Sequence, residues 1–230
     1  MKITYLVLGP FLTNTYIIYD EETMKAVIID PSFTPENIIH AVEKLKVRVE
    51  AIFLTHAHVD HMAGLNVLRK NYINAKVYMN KKDQPYLKAP EKNLSNALPE
   101  PVLCEDADVW VEYGEHIHID KLDFEVLNTS GHTPGGISFY NKEGGVVFSG
   151  DALFQGSIGR TDFPGGNMSE LVTNIRNNLL NLPDDVSSYK VKLDGQEINI
   201  VNKNLNGQIL TAEVTYKDGS VEILSTTIRK

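Results

Sequence analysis

Three imidazoles and one carboxylate fall within a single short stretch, His56-Ala57-His58-Val59-Asp60-His61. These are nitrogen and oxygen ligands of the kind that hold zinc, and iron or manganese under other conditions. Side chains of an extended segment alternate with a period of two, so His56 and His58 point the same way and one metal takes both. Asp60 and His61 lie past the point where such a strand turns over and face a second metal. Two metals about 3.5–4 Å apart are the usual arrangement for hydrolytic chemistry. A lone histidine at a strand end is ordinarily just hydrogen-bonded, whereas four ligand-type residues at this spacing read as a metal site. His132, in Thr129-Ser130-Gly131-His132-Thr133-Pro134-Gly135-Gly136, is flanked by residues that allow close backbone approach. Alone it reads equally well as a turn histidine. Asp151, in Phe148-Ser149-Gly150-Asp151, follows a strand and has two oxygens with which to bridge two cations. Alone it reads as a turn or capping aspartate.

Positioning these groups requires rigid elements on either side. Residues 50–55 form a mostly apolar strand with Ala51, Ile52, Phe53 and Leu54 uninterrupted, the pattern of a strand buried on both faces. The histidine run follows it directly. Upstream, residues 3–8, 15–19 and 26–29 are β-branched and aromatic runs separated by turn residues, which predicts adjacent strands. Ser32 and Thr34 precede Pro35, and Ile38, Ile39, Val42 and Leu45 fall at helical spacing, predicting a capped amphipathic helix over 35–45. Residues 80–107 are rich in Lys, Asn, Pro and Asp with little periodicity and read as a lid or a disordered excursion. Strands resume at 109–113, 117–119, 124–127, 137–140 and 146–148. A second helix follows, with Ser169 as N-cap, Leu171, Val172, Ile175, Leu179 and Leu180 as its apolar face, and Pro183 as its end. Beyond residue 187 the turn dipeptides Asp194-Gly195, Asn206-Gly207 and Asp218-Gly219 separate alternating runs. They predict hairpins and a four-stranded antiparallel meander.

Bulk properties narrow the partners. The net charge is −8, from 22 Lys and Arg against 30 Asp and Glu, with no basic run long enough to follow a phosphate backbone, so nucleic acid is not expected as a partner. No window approaches the roughly 18 consecutive apolar residues of a membrane span. One cysteine, Cys104, forms no internal disulfide and reads as an inert thiol, and with no signal-peptide pattern at the start the protein is expected in the cytoplasm. His40, His116 and His118 read as structural. Asp30, after a strand in AVIIDPS, reads either as a group that orients a metal ligand or as a turn cap.

In their order and spacing, THAHVDH, SGHTPGGIS and SGDALF resemble the metallo-β-lactamase superfamily. GPFLTNTYII, AVIIDPS and GRTDFPGG are similar to its glyoxalase II-like (hydroxyacylglutathione hydrolase-like) members. The likeness covers about residues 1–185. It implies an α+β fold, an αββα sandwich with metals at one edge of its two sheets. Residues 1–186 would form that domain and 187–230 the appended meander. It also implies that His56, His58 and His132 hold the first metal, that Asp60 and His61 hold the second, and that Asp151 bridges them. The chain departs from the resemblance in one respect. The family's further histidine, in a Pro-Gly-His-Gly motif, has no counterpart, because no histidine follows His132. Asp184, Asp185 or Asp194 would have to substitute, or the second zinc would bind weakly.

The expected activity is metal-dependent hydrolysis of a small thioester, ester or lactone by a metal-bound hydroxide, with Asp60 orienting it as the catalytic residue. Two zinc ions per chain are expected, with iron as the other metal. One rival is a sulfur dioxygenase of the same superfamily, with one iron on the positions of His56, His132 and Asp151. The other is a binding or assembly protein whose altered C-terminus has abolished turnover. The meander exposes strand edges and is expected to dock on the sandwich, in a homodimer.

Overall fold

The structure is a computed structural model. It describes residues 1–154 and 157–183, and the backbone of residues 188–193, 196–200, 209–215 and 221–227. The first sheet has six strands in chain order: β1 (Lys2–Leu8), β2 (Thr13–Tyr19), β3 (Lys25–Ile29), β4 (Arg48–Phe53), β5 (Lys76–Asn80) and β6 (Val109–Val111). β1 to β3 are antiparallel, and β3 to β6 run parallel. Parallel neighbours need crossovers. Here α1 (Pro35–Leu45) joins β3 to β4, while α2 (Val59–Met62) and α3 (Leu65–Asn71) join β4 to β5. The second sheet is antiparallel in the order β10-β9-β8-β7, built from β7 (His116–Ile119), β8 (Leu122–Asn128), β9 (Ile137–Asn141) and β10 (Val146–Phe148).

Strand alternation sorts the core into layers. In β3, Ala26 and Ile28 face the helices α1 and α3, whereas Val27 and Ile29 face the second sheet. That double burial explains the uninterrupted apolar runs of β3 and β4. Between the sheets Phe53 stacks on Phe139 at a centroid distance of 4.6 Å and meets Phe124 edge-on at 5.3 Å. On the outer face of the second sheet Leu127 and Tyr140 pack against Leu171, Ile175 and Leu179. These belong to a helix, α5, whose regular part (Met168–Asn174) continues as a π-turn over Ile175–Leu179. The result is the expected αββα layering in an α+β fold. Phe53→Ala is expected to cost about 3–5 kcal/mol of stability, the usual loss for a fully buried phenylalanine, read from urea unfolding.

Several local expectations are corrected. Residues 80–107 are neither a lid nor a disordered excursion. A 3-10 helix, Lys81–Lys88, leads into α4 (Pro90–Asn93), and Tyr86, Leu87 and Cys104 join the helix-layer core. Side-chain hydrogen bonds replace periodicity there, since Asn93 Nδ2 donates to the carbonyls of Tyr86 and Val102 at 2.9 and 3.0 Å. Thr34 precedes α1 without a capping side-chain hydrogen bond, in a left-handed conformation with φ of 54°. Asn167, not Ser169, caps α5, its side chain accepting from the Glu170 N–H. A small hairpin, β11 (Leu153–Phe154) with β12 (Ser157–Ile158), follows Asp151.

The meander is present as β13 (Ser188–Leu193), β14 (Gln196–Ile200), β15 (Ile209–Thr215) and β16 (Val221–Thr227), antiparallel in chain order. Its three turn dipeptides lie outside the described residues, as do Asp184, Asp185 and Asp194. Among the described residues no helix is long and apolar enough to cross a membrane.

Candidate metal centre

Segments leaving the ends of β3, β4, β8 and β10 meet at one edge of the sandwich, where β2 begins. β4 ends at Phe53, and the next residues carry His56 and His58. α2 then turns Asp60 and His61 back toward them. His132 comes from the loop between β8 and β9, which is sewn to the histidine segment by the Ile137 N–H donating to the Thr55 carbonyl at 2.9 Å. Asp151 comes from the turn after β10, where Gly150 (φ of 49°) allows a close approach. A Cβ there would stand 2.2 Å from Thr55 Oγ1.

All six residues singled out from the sequence are brought together. Ligand atoms of His56, His58 and His132 lie within 4.8 Å of one another, as do those of His56, His61 and Asp151. His58 Nδ1 stands 2.9 Å from His132 Nε2. His61 Nε2 is 3.1 Å from Asp151 Oδ1 and 3.3 Å from Asp60 Oδ2, while His132 Nε2 is 3.6 Å from Asp151 Oδ2. Donor atoms that each lie about 2.0–2.2 Å from a shared metal are themselves about 3–3.5 Å apart, so this spacing fits a metal.

Hydrogen bonds behind the rings fix what they present. The Thr55 hydroxyl donates its only proton to Asp30 Oδ2 at 2.7 Å, so it accepts from His56 Nδ1 at 3.1 Å. His61 Nδ1 donates to Asp30 Oδ2 at 2.9 Å, and His132 Nδ1 to the Arg160 carbonyl at 2.6 Å. With Nδ1 carrying the proton, each neutral ring offers its Nε2 lone pair to the centre. Nε2 of His56 and His61 is buried without a hydrogen-bond partner, as is Nε2 of His58, which turns Nδ1 inward instead. Buried polar atoms are rarely left unpaired, and the inward Nε2 atoms of His56 and His61 fit a divalent cation.

Electrostatics agree. Burial, helped by neighbouring His61, holds the His56 pKa well below the usual imidazole value. Burial and His132 push His58 down to about 3, and burial lowers His132 as well. All three are neutral near pH 7, the form in which an imidazole can bind a metal. His61 differs, because burial pushes its pKa down but Asp60, Asp151 and Asp30 outweigh this and raise it. Burial raises Asp60 and Asp151, but His61 more than offsets it, so both carboxyls sit below the usual range. Asp60 and Asp151 converge on His61 Nε2, where a cation would take the place of a ring proton and neutralise the two carboxylates.

The profile of the metallo-beta-lactamase superfamily matches residues 8–191. The chain belongs to this superfamily. As a metallo-β-lactamase-fold protein it is 38% identical over 189 residues to the hydroxyacylglutathione hydrolase GloC of Haemophilus influenzae, covering 81% of this chain and 88% of that one. It is 30% identical over 178 residues to the mitochondrial persulfide dioxygenase ETHE1 of Homo sapiens, covering 77% and 62%. A solved structure, TTHA1623 in a di-iron-bound form, superposes with a TM-score of 0.68 at 32% identity, covering 81% of this chain and 90% of that one. Hydrolases of this superfamily are thus among the relatives, and its divalent-metal chemistry matches the histidine and aspartate cluster.

Asp30 proves to be the group behind His61, one of the two roles its position allowed. Not evident from the sequence are the supporting roles of Thr55, of Thr13, whose hydroxyl donates to Asp60 Oδ2 at 2.6 Å, and of the carbonyl of Arg160. Thr55 sits beside a ligand in the chain and was open to discovery, whereas Thr13 acts across 47 residues. His116 and His118 lie at the surface beside Asp123, at 3.0 and 3.2 Å, and His40 is exposed on α1. Cys104 is buried, its thiol pushed up by burial to about 11.

Proposed function

We propose that the chain is a metal-dependent hydrolase of a small thioester, ester or lactone, with a hydroxyacylglutathione-type thioester as the substrate class. The observation that carries the reading is the pair of adjoining ligand clusters that share His56. His56, His58 and His132 would hold one zinc, Asp60 and His61 a second, and Asp151 would contact both. Zinc bound in such a site lowers the pKa of a water toward neutrality and polarises a carbonyl. The chain's own residues do the positioning. The Thr13 hydroxyl fixes Asp60 Oδ2, and Asp60 orients the attacking water as the catalytic residue. Asp30 and Thr55 keep His56 and His61 in the tautomer that leaves Nε2 bare.

Incubation with a hydroxyacylglutathione should release free thiol in a chelator-sensitive way, without oxygen uptake when glutathione persulfide is supplied instead. Oxygen uptake with no thiol release would favour the second reading, an iron dioxygenase, which the match to the human persulfide dioxygenase supports. Stable metal-loaded protein with neither activity would favour a binding or assembly role. Chelator titration is expected to remove one metal well before the other, because with His56 given to the first metal the second keeps His61 as its one histidine among the described residues. Two equally tight metals would instead point to a ligand in residues 184–230. We place the protein in the cytoplasm, where a lone buried thiol is stable, and read residues 187–230 as a meander extension that docks on the sandwich and offers an edge for a homodimer. Light scattering showing a monomer would remove the dimer.

A further inference from the structure

The 3-10 helix after β5 carries a carboxylate that the proposed chemistry does not use. Asp83 is fully buried. Its Oδ1 accepts the Gly135 N–H at 2.6 Å, and its Oδ2 accepts the Thr133 hydroxyl at 2.7 Å and the Ala57 N–H at 3.2 Å. Ala57 lies between His56 and His58, and Thr133 directly follows His132. One carboxylate therefore spans the two loops that carry the three clustered histidines, from a third segment 26 residues from the first loop and 50 from the second. An unpaired buried carboxylate is costly unless donors fill its lone pairs, and three donors converge on this one. Burial pushes its carboxyl up to about 6, against the pull of Thr133, Gly135 and Ala57. The contact is also closed sterically. A Cβ on Gly135 would stand 2.6 Å from Asp83 N and 2.7 Å from its Oδ1, so glycine is what lets the loop backbone reach the carboxylate.

We infer that Asp83 is a positioning residue that clamps the His56–His58 loop to the His132 loop, and so sets the spacing of the three imidazoles and the affinity of the metal they hold. This rests on the metal-centre reading above. Asp83 acts through the backbone and touches neither metal nor substrate. Groups that orient ligands from behind are typically worth 10–100-fold in metal affinity.

Asp83→Asn keeps the shape and removes one acceptor. An NH2 at the Oδ1 position meets the Gly135 N–H, and at the Oδ2 position it meets the Ala57 N–H, so one backbone donor loses its partner either way. The experiment loads wild type, Asp83→Asn, Thr133→Val, Thr133→Ser and Ile38→Val with cobalt(II), then reads the visible absorption band and the affinity by chelator competition. Ile38 is buried on α1 in the helix-layer core, and its truncation controls for mere loss of stability. Asp83→Asn is expected to bind cobalt roughly 10–100-fold more weakly with a shifted band, Thr133→Val to fall between, and Thr133→Ser and Ile38→Val to match wild type. Wild-type affinity and spectrum in Asp83→Asn, or an equal loss in Ile38→Val, would overturn the clamp. Should Asp83→Asn fail to fold, the contrast between Thr133→Val and Thr133→Ser decides it, equal behaviour of the two being the overturning result. Wild-type protein that takes up no cobalt would overturn the metal-centre reading, and the clamp with it, so the two failures are distinguishable.

Discussion

His58→Ala is expected to purify folded, with the first metal lost and turnover reduced by far more than the roughly 100-fold that removal of a mere supporting group costs. The ring supplies Nδ1 to the three-histidine cluster, facing His132 Nε2 at 2.9 Å. Two imidazoles hold a divalent ion less tightly than three and leave its geometry open. The fold should survive, because the substitution leaves every residue of the three apolar cores in place. Metal content by elemental analysis and thiol release from a thioester give the two readouts. Full metal loading with full turnover would remove His58 from the centre.

Asp30→Asn is the second large effect, and it tests the tautomer argument rather than a ligand. Asp30 accepts three hydrogen bonds, from the Thr55 N–H and hydroxyl and from His61 Nδ1, at 2.8, 2.7 and 2.9 Å. An amide nitrogen placed at Oδ1 would oppose the Thr55 N–H. Placed at Oδ2, it drives the proton of His61 from Nδ1 to Nε2, which closes the lone pair that faces Asp60 and Asp151. Asparagine tolerates the left-handed backbone found there, φ of 52°, so the comparison isolates hydrogen bonding from strain. Stability should fall by about 1–3 kcal/mol, the cost of a buried donor left unpaired, and metal affinity by roughly 10–100-fold. Urea unfolding and chelator competition measure the two. An unchanged metal affinity would mean that Asp30 only caps its turn.

The site was far more legible in the sequence than the structure that supports it. His56, His58, Asp60 and His61 share one short segment whose spacing alone suggests shared ligation, and His132 and Asp151 stand in glycine-bearing turns after strands. The layers were legible too, because the continuous apolar runs of β3 and β4 reflect burial on both faces. What escaped acts at long range through polar groups. Asp83 lies in Lys81-Lys82-Asp83-Gln84, a lysine-rich stretch that looks solvated, and its partners are donors on distant loops. Residues 80–107 looked unstructured because their order comes from single side chains such as Asn93 closing turns, which leave no periodic trace. The cap of α5 lies two residues before Ser169; Asn167 and Ser169 are both good capping types, and only the geometry of the Glu170 N–H separates them.

Two metals, the first on His56, His58 and His132 and the second on Asp60 and His61 with Asp151 between them, are proposed to carry hydrolysis. Elemental analysis of protein purified without chelator, together with thioester hydrolysis measured before stripping, after stripping and after reloading with zinc, tests this most directly. More than one divalent metal per chain is expected, with loss of turnover as the metals are removed and recovery on zinc addition. Undiminished hydrolysis by fully stripped protein would contradict it.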